Sequence, residues 1–260
     1  MKIRCVKTRV GHALSNGRFI VVSAVLLFGG MVRNAPALTN VIPPNVQRIV
    51  ENAVNYAITN EDANTVLFNQ HYQYTRNRNW LYHNEAGKLT KSKQTKTEEN
   101  MPPTNPGAGK RENLVKGRDL KLKSFPIKDI IARFDFTLIG EEPVVGRPAY
   151  VIEFAPHQNI PVRKLMDPFI NRATGTIWVD QEDYAVSKAK FHLNSPLKAA
   201  YGVAGQINDF SGTISRSRTP EGYWHIRAMT WHLDERLLAV RRIVDYSEER
   251  IHPLPISAAP

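Results

Sequence analysis

The second half of the chain consists of short segments in which apolar and polar residues alternate, and this pattern constrains the fold more than any other feature. Phe134, Phe136 and Leu138 alternate with Asp135 and Thr137, and a period of two is that of a β-strand with one buried face. Short turns rich in Asp, Pro and Gly join such segments, which makes neighbouring strands antiparallel. The pattern therefore predicts an antiparallel meander. Further segments of this kind lie at 149–154, 176–180, 184–193, 207–218, 223–233 and 237–248.

One amphipathic helix precedes the strands. Its apolar residues recur at steps of three and four, which places them on one helix face. Asn45 precedes them and can cap the free N–H groups of the first turn. Such a helix must bury its apolar face against another element. The residues of this face are Val46, Ile49, Val50, Ala53, Val54, Ala57 and Ile58.

A polar hairpin follows the helix. The alternation from Phe68 to Tyr74 predicts a strand, a second strand lies near 80–83, and a turn at 84–87 leads to a lysine-rich return strand at 88–98. Strands of this composition suit a sheet with one face in water. We interpret the lysines as a solvated face, and the alternative is a surface for an anionic partner such as lipid headgroups.

A short apolar segment interrupts the meander at 156–173. Asp167 and Pro168 form a favourable helix start, and Gly175 forms a stop. The segment is either a plug that seals the core or a lid over a cavity. The predicted fold is thus mainly β with α, a curved antiparallel sheet covered by the N-terminal and the inserted helices. The apolar residues of the insert are Leu165, Met166, Phe169 and Ile170.

The N-terminus has the composition of an export signal. Six Lys and Arg residues and no acid lie in 1–37, an apolar run spans Phe19–Val32, and Ala35 and Ala37 form a small-residue cleavage site. We expect cleavage near Ala37, a periplasmic location, a single domain at 38–251 and a loose tail at 252–260. The formal net charge of +11 then falls by six to +5. No nucleic-acid partner is expected, because the lysines are not interleaved with aromatic side chains.

The lone cysteine and the histidine spacing argue against an enzyme. Cys5 lies before the apolar run, so the leader lacks a lipidation cysteine after that run and the mature chain has no thiol. The eight histidines form no zinc-binding spacing, and no Gly-x-Ser-x-Gly motif occurs. We therefore predict a non-enzymatic protein without catalytic residues, metal or cofactor.

The apolar faces of the strands are the candidate binding site. A curved sheet must fill its concave side, either with a packed core or with a pocket for apolar chains that the helices partly close. Both alternatives require the same alternation, so they stay open at this stage. The candidate pocket residues are Phe134, Phe136, Leu138, Tyr150, Ile152, Phe154, Ile177, Val179, Phe191 and Leu193. The candidate lid residues are Val50, Val54, Leu165, Met166, Phe169 and Ile170.

Four stretches resemble the outer-membrane lipoprotein-sorting proteins of the LolA/LolB-like superfamily. They lie at 134–142 (FDFTLIGEE), 146–151 (GRPAYV), 167–172 (DPFINR) and 175–183 (GTIWVDQED). The resemblance covers about residues 45 to 250, and none of these stretches is a catalytic signature.

The resemblance implies an unclosed β-barrel whose helices form a lid over a hydrophobic cavity. It also implies a periplasmic protein that binds acyl chains or lipoproteins, with membrane-bound donor and acceptor proteins as partners. Arg147, Arg227 and Arg241 are candidates for a cargo-contacting arginine. The alternative function is a protein-interaction or stress-sensing module of the envelope, with a packed core on the same scaffold. The cargo, the direction of transfer and the oligomeric state stay open.

Overall fold

The computed structural model describes residues 44–100, 131–162, 167–199, 205–238 and 240–256. The predicted leader lies outside these residues. The described helices are α1, Pro44–His71, and α2, Asp167–Ile170, and neither is long and apolar enough to cross a membrane. The described strands are β1, Tyr72–His83; β2, Leu89–Glu99; β3, Phe134–Val144; β4, Arg147–Pro156; β5, Ala173–Asp180; β6, Val186–Leu193; β7, Leu197–Ala199; β8, Gly205–Arg218; β9, Trp224–Leu237; and β10, Val240–Pro255.

The strands form one antiparallel sheet. Its order is β2-β1-β10-β9-β8-β6-β5-β4-β3, and the short β7 pairs with β8. Within the described ranges the edge strands β2 and β3 do not pair with each other, so the sheet is not closed into a barrel. The predicted fold class, mainly antiparallel β with an N-terminal helix, is confirmed.

Alternation along the strands separates the two faces of the sheet. In β3, Phe134 and Phe136 are buried, whereas Asp135 and Thr137 are exposed. Residues directly opposite each other in an antiparallel pair share a face, and Phe136 lies opposite Phe154 of β4. One face of β3 to β6 is therefore apolar, and α1 packs on it through its own apolar residues.

Helix α1 is longer than predicted. The strand expected from Phe68 begins only at Tyr72. The buried stripe of α1 continues at steps of three and four through Glu61, Asn64 and Phe68. Because two of these residues are polar, the apolar periodicity ends at Ile58, more than three turns before the helix ends at His71. Glu61 can be buried because Arg216 pairs with it.

The predicted loose tail at 252–260 is wrong for its first residues. Strand β10 continues to Pro255, which lies opposite Tyr72, and the Ile256 N–H donates to the His71 carbonyl at 2.7 Å. Beyond Glu249, β10 pairs with β1 and no longer with β9, and prolines are tolerated in a strand with one free edge. Residues 257–260 lie outside the described part, and the domain boundaries 38–251 stay a prediction.

A tight turn joins β3 to β4. Strands β3 and β4 extend to a two-residue loop, Val145 and Gly146, with φ of 51° and 79°, as in a type I′ hairpin. Glu142 lies in β3 and accepts a hydrogen bond from the Trp178 indole at 2.5 Å.

The start of the inserted helix is confirmed. Helix α2 begins at Asp167 and Pro168. The buried Asp167 carboxylate accepts a hydrogen bond from Arg133 at 3.1 Å. Leu165 and Met166, predicted in the same inserted segment, lie outside the described residues.

An aromatic cluster packs the junction at which α1 passes into β1 without a loop. The Phe68 ring stacks on Tyr72 at 5.3 Å and on His225 at 4.2 Å between centroids, and Tyr74 lies 5.3 Å from Phe68. His225 is only 7% exposed, and burial lowers the pKa of its imidazole to about 4. The ring is therefore neutral at physiological pH.

We predict that His225→Phe makes the fold less sensitive to acid. As pH falls from 6.5 to about 4, the unfolded chain binds a proton at this position before the folded chain does, so stability decreases through that window. The wild type should lose about 3 kcal/mol more unfolding free energy than the variant between pH ~7 and pH ~4. Urea denaturation at both pH values measures this, and equal losses in the two proteins would contradict the assignment.

Candidate functional site

The predicted pocket residues gather beneath α1. Seven of the ten belong to one buried cluster with α1, Leu138 and Tyr150 pack against that cluster, and Leu193 is buried at 8% exposure outside it. We call this cluster the α1 core. Its described members from the sheet and from α2 are Phe134, Phe136, Ile152, Phe154, Ile170, Ala173, Ile177, Val179, Ala189 and Phe191.

The lid prediction divides between two elements. Val50 and Val54 of α1 and Ile170 of α2 belong to the α1 core, and Phe169 packs against it. Phe169 lies 5.7 Å from the Phe210 ring, which bridges to Phe191 at 5.4 Å. Both described helices thus cover the predicted surface, and α1 contributes more residues to the cover.

The described side chains at the centre of the α1 core pack closely. Ile152 and Val179 are 0% exposed, and the Phe134 ring packs edge-on against Phe154 at 5.4 Å. An apolar ligand can enter between these side chains only if α1 or the side chains move.

A buried ion pair fastens the second half of α1 to the sheet. Arg216 of β8 donates to both Glu61 carboxylate oxygens, at 2.5 and 2.8 Å, and to the Val186 carbonyl at 3.0 Å. The guanidinium lies 5.5 Å from the Trp224 ring. Both charged side chains are about nine-tenths buried. Sequence analysis missed this pair because its members are 155 residues apart.

Sequence analysis also missed a second apolar cluster on the same face. Five residues lie directly opposite one another across five neighbouring strands, and they share a face with the α1 core because one of them belongs to it. They are Phe191, Gly212, Trp231, Tyr246 and Trp80. Alternation in β1, β9 and β10 carried the signal for this cluster. It consists of Trp80, Ile214, Met229, Val244 and Tyr246, with Tyr82, Ile226 and Trp231 packed against it.

Two lysines of β2 border this second cluster. Lys93 lies 5.2 Å from the Trp80 ring, and Lys91 lies 5.8 Å from the Tyr82 ring. The side chains of β2 are otherwise largely exposed. The hairpin is a solvated edge whose cations rest partly on aromatic rings.

A groove of about 620 Å³ lies on the opposite face of the sheet. Its walls are two register rows of mostly polar side chains, and Phe191 is the one predicted pocket residue among its lining. Hydroxyl, amide and imidazole groups border the groove together with the rings of Phe191, Trp231 and Tyr246. The two rows are Asn79, Ser247, Thr230, Thr213, Lys190 and Thr176, and Leu81, Asp245, His232, Ser211 and His192.

Two histidines hold one carboxylate at the end of this groove. Asp245 Oδ1 lies 2.6 Å from His232 Nδ1, and Asp245 Oδ2 lies 2.8 Å from His83 Nε2. In the described ranges no group of three or more His, Cys, Asp or Glu side chains is arranged to hold a metal ion.

Two of the three candidate arginines are occupied within the fold. Arg147 donates to Asp180 at 2.7 and 2.8 Å, and these hydrogen bonds raise the pKa of its guanidinium. Arg241 donates to Asp234 at 3.0 and 2.7 Å, which lowers the pKa of that carboxyl. Arg227 is exposed on β9. Arg147 and Arg241 therefore connect neighbouring strands.

Comparison with solved structures finds proteins of the superfamily that the motifs resemble. A LolA superfamily protein from Nitrosomonas europaea is 10% identical, with 83% of this chain and 94% of that chain covered and a TM-score of 0.30. An outer membrane lipoprotein-sorting protein domain from Vibrio parahaemolyticus is 10% identical, with 72% and 87% covered and a TM-score of 0.27. The MucA/MucB complex of Pseudomonas aeruginosa matches at 9% identity, with 82% and 100% covered and a TM-score of 0.26.

No family model and no curated protein matches the sequence. At identities of 9–10% and TM-scores of 0.30 or less, the structural likenesses carry no argument about function.

We predict that Glu61 and Arg216 are strongly coupled. Glu61→Gln or Arg216→Met alone leaves one buried charge without its partner, which costs about 3 kcal/mol of stability. The double variant should recover part of that loss, because neither charge is then left alone. Denaturant unfolding of the four proteins gives the coupling energy.

The exposed pair Arg147–Glu182 provides the control for this cycle. Glu182 is 68% exposed in this pair, so Glu182→Gln should cost less than about 1 kcal/mol. Additive effects of Glu61→Gln and Arg216→Met would show that the pair does not fasten α1.

Proposed function

We propose that this protein is a non-enzymatic periplasmic binding protein that shelters acyl chains of lipids or lipoproteins between α1 and the sheet. The observation that carries the proposal is the position of one continuous amphipathic helix over most of the predicted pocket residues. Burial of an acyl chain needs no catalytic group. In this conformation α1 occupies the ligand's place, and binding requires α1 to move.

The free energy lost when α1 side chains leave the sheet is of the same order as the free energy gained when an acyl chain is buried there. Each valine or isoleucine of α1 that leaves the sheet costs about 1.5–3 kcal/mol of burial. An acyl chain gains about 0.8 kcal/mol per buried methylene, or about 12 kcal/mol for a chain of about sixteen carbons. One chain can therefore replace several residues of α1, including Val50 and Val54.

The leader suggests where such a protein acts. The basic apolar leader with Ala35 and Ala37 favours export to the periplasm. A carrier there would receive its ligand at one membrane and release it at another. Sorting of outer-membrane lipoproteins, with membrane-bound donor and acceptor proteins, is the specific role that we propose.

Close packing at the centre of the α1 core favours a second candidate function. Ile152 and Val179 are fully buried, as expected of a scaffold whose partners bind outside. A protein-interaction or stress-sensing module of the envelope would keep α1 in place permanently.

Fatty-acid uptake by variants of the Glu61–Arg216 ion pair tests the first proposal. We expect saturable binding of a fluorescent long-chain fatty acid to the wild type. Binding should be several-fold faster for Glu61→Gln/Arg216→Met, because α1 is then less firmly fastened. Asp234→Asn removes an ion pair on the opposite face and should leave the rate unchanged. Absence of uptake by all three proteins would favour the interaction module.

Spin-label distances test the movement of α1. Asn55 of α1 and Glu153 of β4 are exposed, and Cys5 is the one native cysteine, within the predicted leader. Labels at cysteines in these two positions should move apart when fatty acid binds. The distance between labels at Glu153 and Lys190, which both lie in the sheet, should not change. An unchanged α1 distance with bound fatty acid would show that α1 is not the lid.

A further inference from the structure

The hairpin between β9 and β10 ends in an exposed apolar tip. Leu237, Leu238 and Val240 are 45%, 73% and 69% exposed. Leu89, 49% exposed, lies at the same end of the sheet, because its partner His83 pairs with the beginning of β10. These are four of the nine large apolar side chains that are exposed in the described part of the chain. Clustering of this kind marks an interaction surface.

The backbone of the tip is unfavourable for the residue it carries. Val240 lies opposite Leu237, so the hairpin loop has two residues. Leu238 has a φ of 54°, in the left-handed region where Asn or Gly is normally found in such loops. A leucine here is both strained and exposed, and neither property helps the fold. Strain and exposure at Leu238 coincide with two further exposed apolar side chains, Leu237 and Val240, and it is this combination that indicates a function.

Cations lie directly behind the tip. One register row contains Lys198, Gln206, Arg236 and Arg241. Arg241 is paired with Asp234, but in the described part no acid pairs with Lys198 or Arg236. This row lies one residue, or about 3.3 Å, from the ends of β9 and β10 at the tip.

We infer that this tip inserts into the interface of a membrane that contains anionic phospholipid. The three apolar side chains of the tip enter the boundary between headgroups and acyl chains, and Lys198 and Arg236 meet the phosphates. Interfacial elements have the same arrangement: an apolar part reaches roughly 5–10 Å into that boundary, and cations lie beside it. A stable protein interface needs about 800 Å² per partner, more than a two-residue loop offers. The inference does not depend on what binds beneath α1.

The loop between β3 and β4 provides a matched control. Val145 also occupies a two-residue loop, with a φ of 51° and 51% exposure. This loop lies at the opposite end of the sheet, and the exposed acids Glu141 and Glu142 precede it. An acidic surround repels an anionic membrane, so this loop should not insert.

The experiment compares vesicle binding of the full mature protein with Leu238→Asn and Val145→Asn. Asn tolerates the left-handed backbone, so both variants should fold at least as stably as the wild type. With phosphatidylglycerol-containing vesicles, Leu238→Asn should bind about tenfold more weakly, and Val145→Asn should bind like the wild type. Wild-type binding should weaken at high salt and with vesicles of phosphatidylcholine alone.

A label at the tip reports insertion directly. An environment-sensitive dye at Leu238→Cys should shift its emission to the blue on vesicles that contain phosphatidylglycerol, and the same dye at Val145→Cys should not. Equal vesicle binding by the wild type and Leu238→Asn would overturn the inference. It would also be overturned if sedimentation showed a wild-type oligomer that Leu238→Asn dissociates without any vesicle binding, because the tip would then be a protein contact.

Discussion

An open antiparallel sheet with one apolar face needs a cover, and in the described chain α1 provides most of it. The helix continues directly into β1, so its position is tied to this strand, next to the edge strand β2, through the aromatic junction around Phe68. Its first half rests on apolar contacts, and its second half is fastened by Glu61 and Arg216. A cover of this kind can move without breaking any strand pairing.

The polar side chains that are buried in this protein are largely engaged in holding strands and helices together. Arg147 with Asp180 connects β4 to β5, and Arg241 with Asp234 connects β10 to β9. Glu248 is contacted by Arg76 and Arg250. These arrangements stabilise the scaffold and leave binding to apolar burial, in keeping with a carrier or a docking protein. The tip of the β9–β10 hairpin is different, because its apolar residues are exposed.

Alternation predicted most of the sheet, since period-two patterning depends only on which side chains face the core. It placed Phe134, Phe136 and Ile152 on one buried face, and the structure confirms that burial. It failed where polar residues take core positions, because Glu61 is buried only in the presence of the distant Arg216. The cluster around Trp80 and the tip at Leu238 depend on which strands become neighbours, and that information is non-local.

If the face beneath α1 binds acyl chains, native mass spectrometry of the exported protein detects them as bound mass. The chain would be expressed with its own leader, purified from the periplasm and measured before and after organic extraction. We expect a protein that begins near residue 38 and carries a one-to-one adduct, which extraction identifies as fatty acid, phospholipid or lipopeptide. A bare mass in every preparation, with no adduct after incubation with fatty acid or lipopeptide, would show that this face binds no acyl chain and would favour the protein-interaction module.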